Sequence, residues 1–124
     1  MKLDYTPQQL AEMANTLRMD VVDSIHCARS GHPGGSLSSA EMLAVLYFRE
    51  MDIDPEKPDW AGRDRFVLSK GHAAPVYYAA LARRGYFPVE ELKTLRKIGS
   101  PLQGHPDRKK VRGVDMVESM KSAE

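Results

Sequence analysis

Only one stretch of this chain reads as a β-strand: Arg65-Phe66-Val67-Leu68-Ser69, short and apolar, with a polar loop before it and Gly71 after it. A lone strand leaves backbone donors and acceptors unpaired and cannot constitute a sheet. Its neighbours must therefore come from sequence elsewhere or from another chain. The rest of the pattern is helical, so the expectation is an α/β fold, mostly helical with one clear strand, forming the opening and incomplete portion of a layered domain.

The helices are marked by their caps. Thr6-Pro7-Gln8-Gln9 predicts an N-cap at Thr6, a proline in the first helical position and a capping box closed by Gln9. Leu10, Met13, Leu17, Val21, Ile25 and Ala28 then recur at three- and four-residue steps, an apolar stripe along a helix of about six turns. Ser38 and Glu41 form a second capping-box pattern ahead of Met42, Leu43, Val45, Leu46 and Phe48, which predicts a helix from near Ser38 to near Glu50. A further helix follows the strand from near Ala73 and stops at Gly85, and another is expected from Pro88 to Ile98. Residues 100 to 116 read as a Gly/Pro-containing loop, and the tail from Val117 onward as frayed helix or disorder.

Composition sets the class. With 124 residues, 42% apolar and 28% charged, the chain has the size and balance of one soluble domain. No window approaches the run of about 18 apolar residues that a membrane span needs. A net charge of +1 supplies no global field for nucleic acid or anionic lipid. Arg108, Lys109, Lys110 and Arg112 make a local basic cluster, read as a solvated face, with an anionic ligand or partner as the alternative. Cys27 stands alone and no leader precedes the first helix, so a reducing, cytoplasmic setting is the default.

Three of the four histidines follow glycine: Gly31-His32, Gly71-His72 and Gly104-His105, each at an element boundary. A histidine in a glycine-rich turn has open backbone around it and an imidazole free to reach a ligand. His72 lies just before a helix, where its ring and the free N–H groups of the first turn face the same anion. Pro33-Gly34-Gly35 is expected to turn sharply and offer His32 to a cavity. The rival reading, a three-histidine zinc site, lacks the short chelating pair that usually anchors one. His26, inside the first helix, is read as structural.

Taken together, Gly31-His32-Pro33-Gly34-Gly35-Ser36-Leu37-Ser38, Asp64-Arg65-Phe66-Val67-Leu68-Ser69-Lys70-Gly71-His72-Ala73 and Leu102-Gln103-Gly104-His105-Pro106 resemble the amino-terminal signature of transketolases in wording, order and spacing. The likeness runs from about Met13 to Asp115, and deoxyxylulose-phosphate synthases are the nearest rival family. It implies an incomplete amino-terminal portion of a thiamin-diphosphate-binding fold, residues 1–116, with a divergent tail at 117–124. It also implies transfer of a two-carbon ketol unit between sugar phosphates, as in the pentose phosphate pathway, with thiamin diphosphate and Mg2+ as cofactors. By resemblance His32 contacts substrate near the reacting carbon and assists proton transfer, His105 bonds the donor's terminal hydroxyl, and Gly71 and His72 lie beside the cofactor.

The chain departs from the family at Met116-Val117-Glu118-Ser119, where relatives continue into a glycine-rich segment, and it does not carry the later Gly-Asp-Gly and Asn segment that holds cation and diphosphate. No metal ligand is therefore assigned. The expectation is a truncated transketolase part that is inactive alone and works by self-association or with a complementary transketolase chain. The alternative is a non-catalytic remnant or interaction protein.

Overall fold

The computed structural model describes residues 2–29, 31, 33–70 and 73–117. Helix α1 (Pro7–Ala28) starts as its sequence predicts: the Gln9 amide donates to Thr6 Oγ1 at 3.2 Å and the Thr6 amide to Gln9 Oε1 at 2.8 Å. Its stripe faces the core, with Leu17 and Val21 fully buried and Leu10, Met13, Ile25 and Ala28 packed at the margin. Arg29 ends the helix in the left-handed region.

The glycine-rich segment expected as an open turn instead forms a short helix, α2 (Pro33–Leu37). This changes the next cap. The carbonyl of Gly35, near the end of α2, accepts from both serine hydroxyls, Ser39 at 2.9 Å and Ser38 at 3.1 Å, so the Ser38–Glu41 capping box does not form. Helix α3 (Ala40–Val45) begins after Ser39 and continues as a single π-helical turn, Leu46–Glu50, closed by the Met51 amide on the Leu46 carbonyl at 2.8 Å.

Strand β1 is confined to Val67–Leu68. It has a partner that the sequence pattern does not announce: β2 (Met116–Val117), parallel, with Val67 opposite Met116 and Leu68 opposite Val117. Two residues are too few to show a period, so the expected loop-to-tail junction at 116–117 is strand instead. What holds it is Asp115, whose Oδ2 accepts the Phe66 amide at 3.1 Å and whose Oδ1 accepts Arg63 Nε at 3.0 Å. Residues 118–124, most of the expected tail, lie outside the described residues.

Helix α4 (Ala74–Arg84) is the centre of the molecule. Of its residues only Arg83 is exposed, and a helix apolar on every face is a core helix. Gly85, at φ 114°, ends it, with the Tyr86 amide reaching the Leu81 carbonyl at 3.0 Å. The two terminal arginines bind it to its neighbours. Arg83 makes a bidentate pair with the buried Asp20 of α1, both bonds 2.8 Å. Arg84 donates to the carbonyls of Tyr47 at 3.0 Å and Ile53 at 3.3 Å. The last predicted helix is shorter and tighter, a 3-10 helix at Val89–Thr94. Its apolar residues Val89, Leu92 and Leu95 recur every third position, the period of a 3-10 turn.

The core contains Tyr47, Tyr77 and Tyr78, each almost wholly enclosed. The hydroxyls of Tyr47 and Tyr77 meet no hydrogen-bond partner among the described residues. Burial raises all three phenols, Tyr77 to about 12 from an ordinary 10.0. A phenol raised only in the folded chain leaves stability intact below the unfolded value and removes it above, because the unfolded chain ionises first. Stability is thus expected to fall as pH rises from about 10 through about 12. Near-ultraviolet phenolate absorbance of the buried tyrosines should appear together with loss of circular dichroism. Ionisation of all the tyrosines with the helical signal intact would contradict this packing.

Candidate functional site

The three glycine-histidine segments are each tied to α4 or to the turn that leads into it. Lys70, just after β1, turns its ammonium back to donate to the Gly35 carbonyl at 3.1 Å, with Ser38 Oγ at 3.4 Å. Ser36, fully buried in α2, accepts the amide of Val76 in the first turn of α4 at 3.4 Å. One turn further on, Tyr78 donates its hydroxyl to the Gln103 carbonyl at 2.6 Å, immediately ahead of Gly104-His105. Ser36 and Gln103 are therefore fastened to the first two turns of one buried helix, and Lys70 ties the end of β1 to Gly35.

His32, Gly71 and His72 lie outside the described residues, so the positions of these predicted site groups are not part of the geometry above. His105 is described and exposed, between half-buried Gly104 and buried Pro106. Its loop is held by more than Tyr78. The Gln103 side chain donates to the carbonyls of Ser100 at 2.7 Å and Lys97 at 3.1 Å, and the Arg96 amide donates to the Leu102 carbonyl at 2.7 Å. Arg96 takes φ 62°, rare for a residue with a side chain, and its guanidinium crosses so close to Gly104 that a Cβ there would stand 3.0 Å from Nη1. A side chain at position 104 would thus displace the flexible end of Arg96.

The expected anion seat at the start of α4 is narrower than the sequence suggests. Pro75 has no amide, and the Val76 amide is already taken by Ser36. Lys70 likewise directs donors to the Gly35 carbonyl and Ser38 Oγ. Among the described residues no three His, Cys, Asp or Glu side chains gather in a group that could hold a metal ion. Lys70, Ser36, Tyr78 and Arg96 carry the architecture of this region without having been singled out from sequence; only Lys70 and Ser36 had a signal, their places inside the Ser-Lys-Gly-His and Gly-His-Pro-Gly-Gly-Ser segments.

Comparison with known proteins defines the class. A family model described as "Transketolase, thiamine diphosphate binding domain" matches residues 9–119. The chain belongs to this transketolase amino-terminal family, and the match extends past both ends of the likeness seen by motif. It is 51% identical over 107 residues to the 6-deoxy-6-sulfo-D-fructose transketolase subunit SqwG of Clostridium sp. (strain MSTE9), covering 86% of this chain and 39% of that protein. Human transketolase is 48% identical over 99 residues, covering 80% of this chain and 16% of that one. Among solved structures, transketolase from Leishmania mexicana superposes with a TM-score of 0.81 at 40% identity, over 85% of this chain and 16% of that chain. The Campylobacter jejuni enzyme gives 0.80 at 38% identity, over 89% and 17%. The chain thus spans well under half the length of these relatives.

If Lys70 fastens the glycine-rich segment to the end of β1, Lys70→Met should lower stability by about 1 kcal/mol in urea unfolding. Amide exchange over residues 34–39 should rise while α1 stays protected. Unchanged exchange in that segment would show the contact to be incidental.

Proposed function

We propose that this chain is the amino-terminal component of a transketolase-type enzyme that transfers a two-carbon ketol unit between sugar phosphates, and that it is inactive alone. The observation that carries the reading is the family match over residues 9–119, joined by the bonds that fasten Ser36 and Gln103, close to two of the Gly-His pairs, to the first turns of α4. When bound, thiamin diphosphate supplies the group that accepts the ketol fragment. In this reading Gly71 and His72 lie beside it, His32 touches the substrate near the reacting carbon and moves a proton, and His105 bonds the donor's terminal hydroxyl. Neutral imidazoles suit these tasks, since one nitrogen donates while the other accepts.

The Mg2+ and most of the diphosphate grip are assigned to residues outside this chain, in keeping with the few donors left at the start of α4. The name of the clostridial relative, a transketolase subunit, supports a division of such an enzyme between chains. Met19, Val22, Met42 and Val45 are exposed on α1 and α3, which supports association with a complementary transketolase chain or with a second copy. No described helix is long and apolar enough to cross a membrane, and the lone Cys27 fits a reducing cytoplasm.

Calorimetry with thiamin diphosphate and magnesium should show no submicromolar binding to the isolated chain; tight binding would overturn the partial-site reading. Sedimentation should give a mass above 13.9 kDa, alone or with the complementary chain. A stable monomer that unfolds cooperatively and ignores every candidate partner would favour the remnant alternative. In the reconstituted enzyme His105→Ala and His32→Ala should lower donor turnover about a hundredfold or more, while His72→Ala should chiefly weaken cofactor affinity. Full activity in all three variants would remove the active-site assignment.

A further inference from the structure

Arg108, Lys109, Lys110 and Arg112 take no part in the site above, yet the fold does not simply spread them over the surface. They line a cavity of about 300 Å³ whose other walls are Pro58, Asp59 and the turn Val111–Val114. That turn is built into the core. Asp107 Oδ1 accepts the Lys109 amide at 2.9 Å, and the Asp107 carbonyl accepts the amides of Lys110 at 3.0 Å and Val111 at 2.9 Å. Val111 and Val114 are buried, and Gly113, at φ 96°, lies so close beneath Tyr86 that a Cβ would come within 2.6 Å of the ring.

The cations divide into two roles. Arg112 reaches across and donates to the carbonyls of Pro55 at 3.0 Å and Glu56 at 3.4 Å, which joins the turn to the facing loop. Arg108, Lys109 and Lys110 are exposed and make no ion pair among the described residues. Asp59 contributes the single carboxylate of the lining. The balance inside the cavity is strongly positive although the chain as a whole carries only +1.

We propose that this cavity is a binding site for a small phosphate-bearing molecule, separate from the candidate cofactor site. A guanidinium and two ammonium groups on a fixed turn match the charge and acceptor oxygens of a phosphate monoester. A concave wall concentrates their field. The volume falls at the lower end for small-molecule sites, and the near-neutral chain lacks the broad field that draws a nucleic acid. Its place is set by the sheet. The 108–114 turn leads directly into β2, whereas Lys70 and the first turn of α4 follow β1, and α4 runs back so that Leu81 and Tyr86 meet Gly113. The described lining holds none of the residues assigned above to the transketolase site.

Inorganic phosphate and glycerol phosphate, titrated into the isotopically labelled full chain at constant ionic strength, provide the test. Saturable amide shifts over residues 109–114 are expected. The double variant Lys109→Ala/Lys110→Ala should weaken binding about tenfold or more, consistent with loss of two charge-assisted contacts. Both side chains are exposed, so its circular dichroism should match the parent. Lys93→Ala, an exposed cation elsewhere, should leave binding unchanged. Shifts that fail to saturate, that chloride reproduces, or that survive in the double variant would reduce the cluster to a solvated face. Stronger binding of an Asp/Glu-rich peptide than of either phosphate would also overturn the proposal, by assigning the surface to an acidic protein segment.

Discussion

The burial of α4 on every side but one leaves its first amides and the terminal Arg84 with little solvent to satisfy them, and the chain is arranged around answering that need. At the amino end Ser36 supplies an acceptor to Val76. At the carboxyl end Gly85 turns the chain, Arg83 finds Asp20, and Arg84 finds two carbonyls that the π turn and its loop would otherwise leave open. Alanines at 74, 79, 80 and 82 let the surrounding helices approach closely, while each fully buried Val, Leu or Tyr contributes about 1.5–3 kcal/mol of transfer free energy. The candidate site is a by-product of this solution, because the groups that satisfy α4 are the neighbours of the glycine-histidine turns.

Asp115 has a comparable role for the sheet. A parallel pair needs a long connection, here residues 69–115, and two residues of pairing would not by themselves fix a register. A carboxylate shared between the Arg63 side chain and the Phe66 amide sets that register from outside the ladder. Helices α1, α2 and α3 and the 3-10 helix gather around α4, while the 107–114 turn leads into β2 and reaches the facing loop through Arg112.

What sequence could show follows from the range of each signal. The α1 cap, its stripe and the Gly85 stop are local and appear where they are expected. Misses occur where the deciding partner is distant or the element too short to have a period. Ser38 looks like an N-cap until α2 forms ahead of it and offers the Gly35 carbonyl. The 88–98 segment carries apolar residues at threes, equally compatible with the first turns of an α-helix. β2 exists only by virtue of β1 and Asp115. Arg96 could not have been singled out at all, since its value comes from a left-handed backbone and a glycine eight residues on.

The hydrogen bonds of two regions argue for a division of labour. Lys70 directs its ammonium to the Gly35 carbonyl and the Val76 amide goes to Ser36, so these donors serve the fold. Under the proposed reading this chain shapes and positions the site, and the strong anion grip belongs to sequence outside the 16% of a whole transketolase that it matches. A donor held by a carbonyl is one fewer for an anion, although the ammonium keeps its charge. In the basic cluster only Arg112 braces, and three cations keep their donors free. Among the described residues the cations best placed to bind an anion are therefore Arg108, Lys109 and Lys110, which the Gly-His motifs do not include.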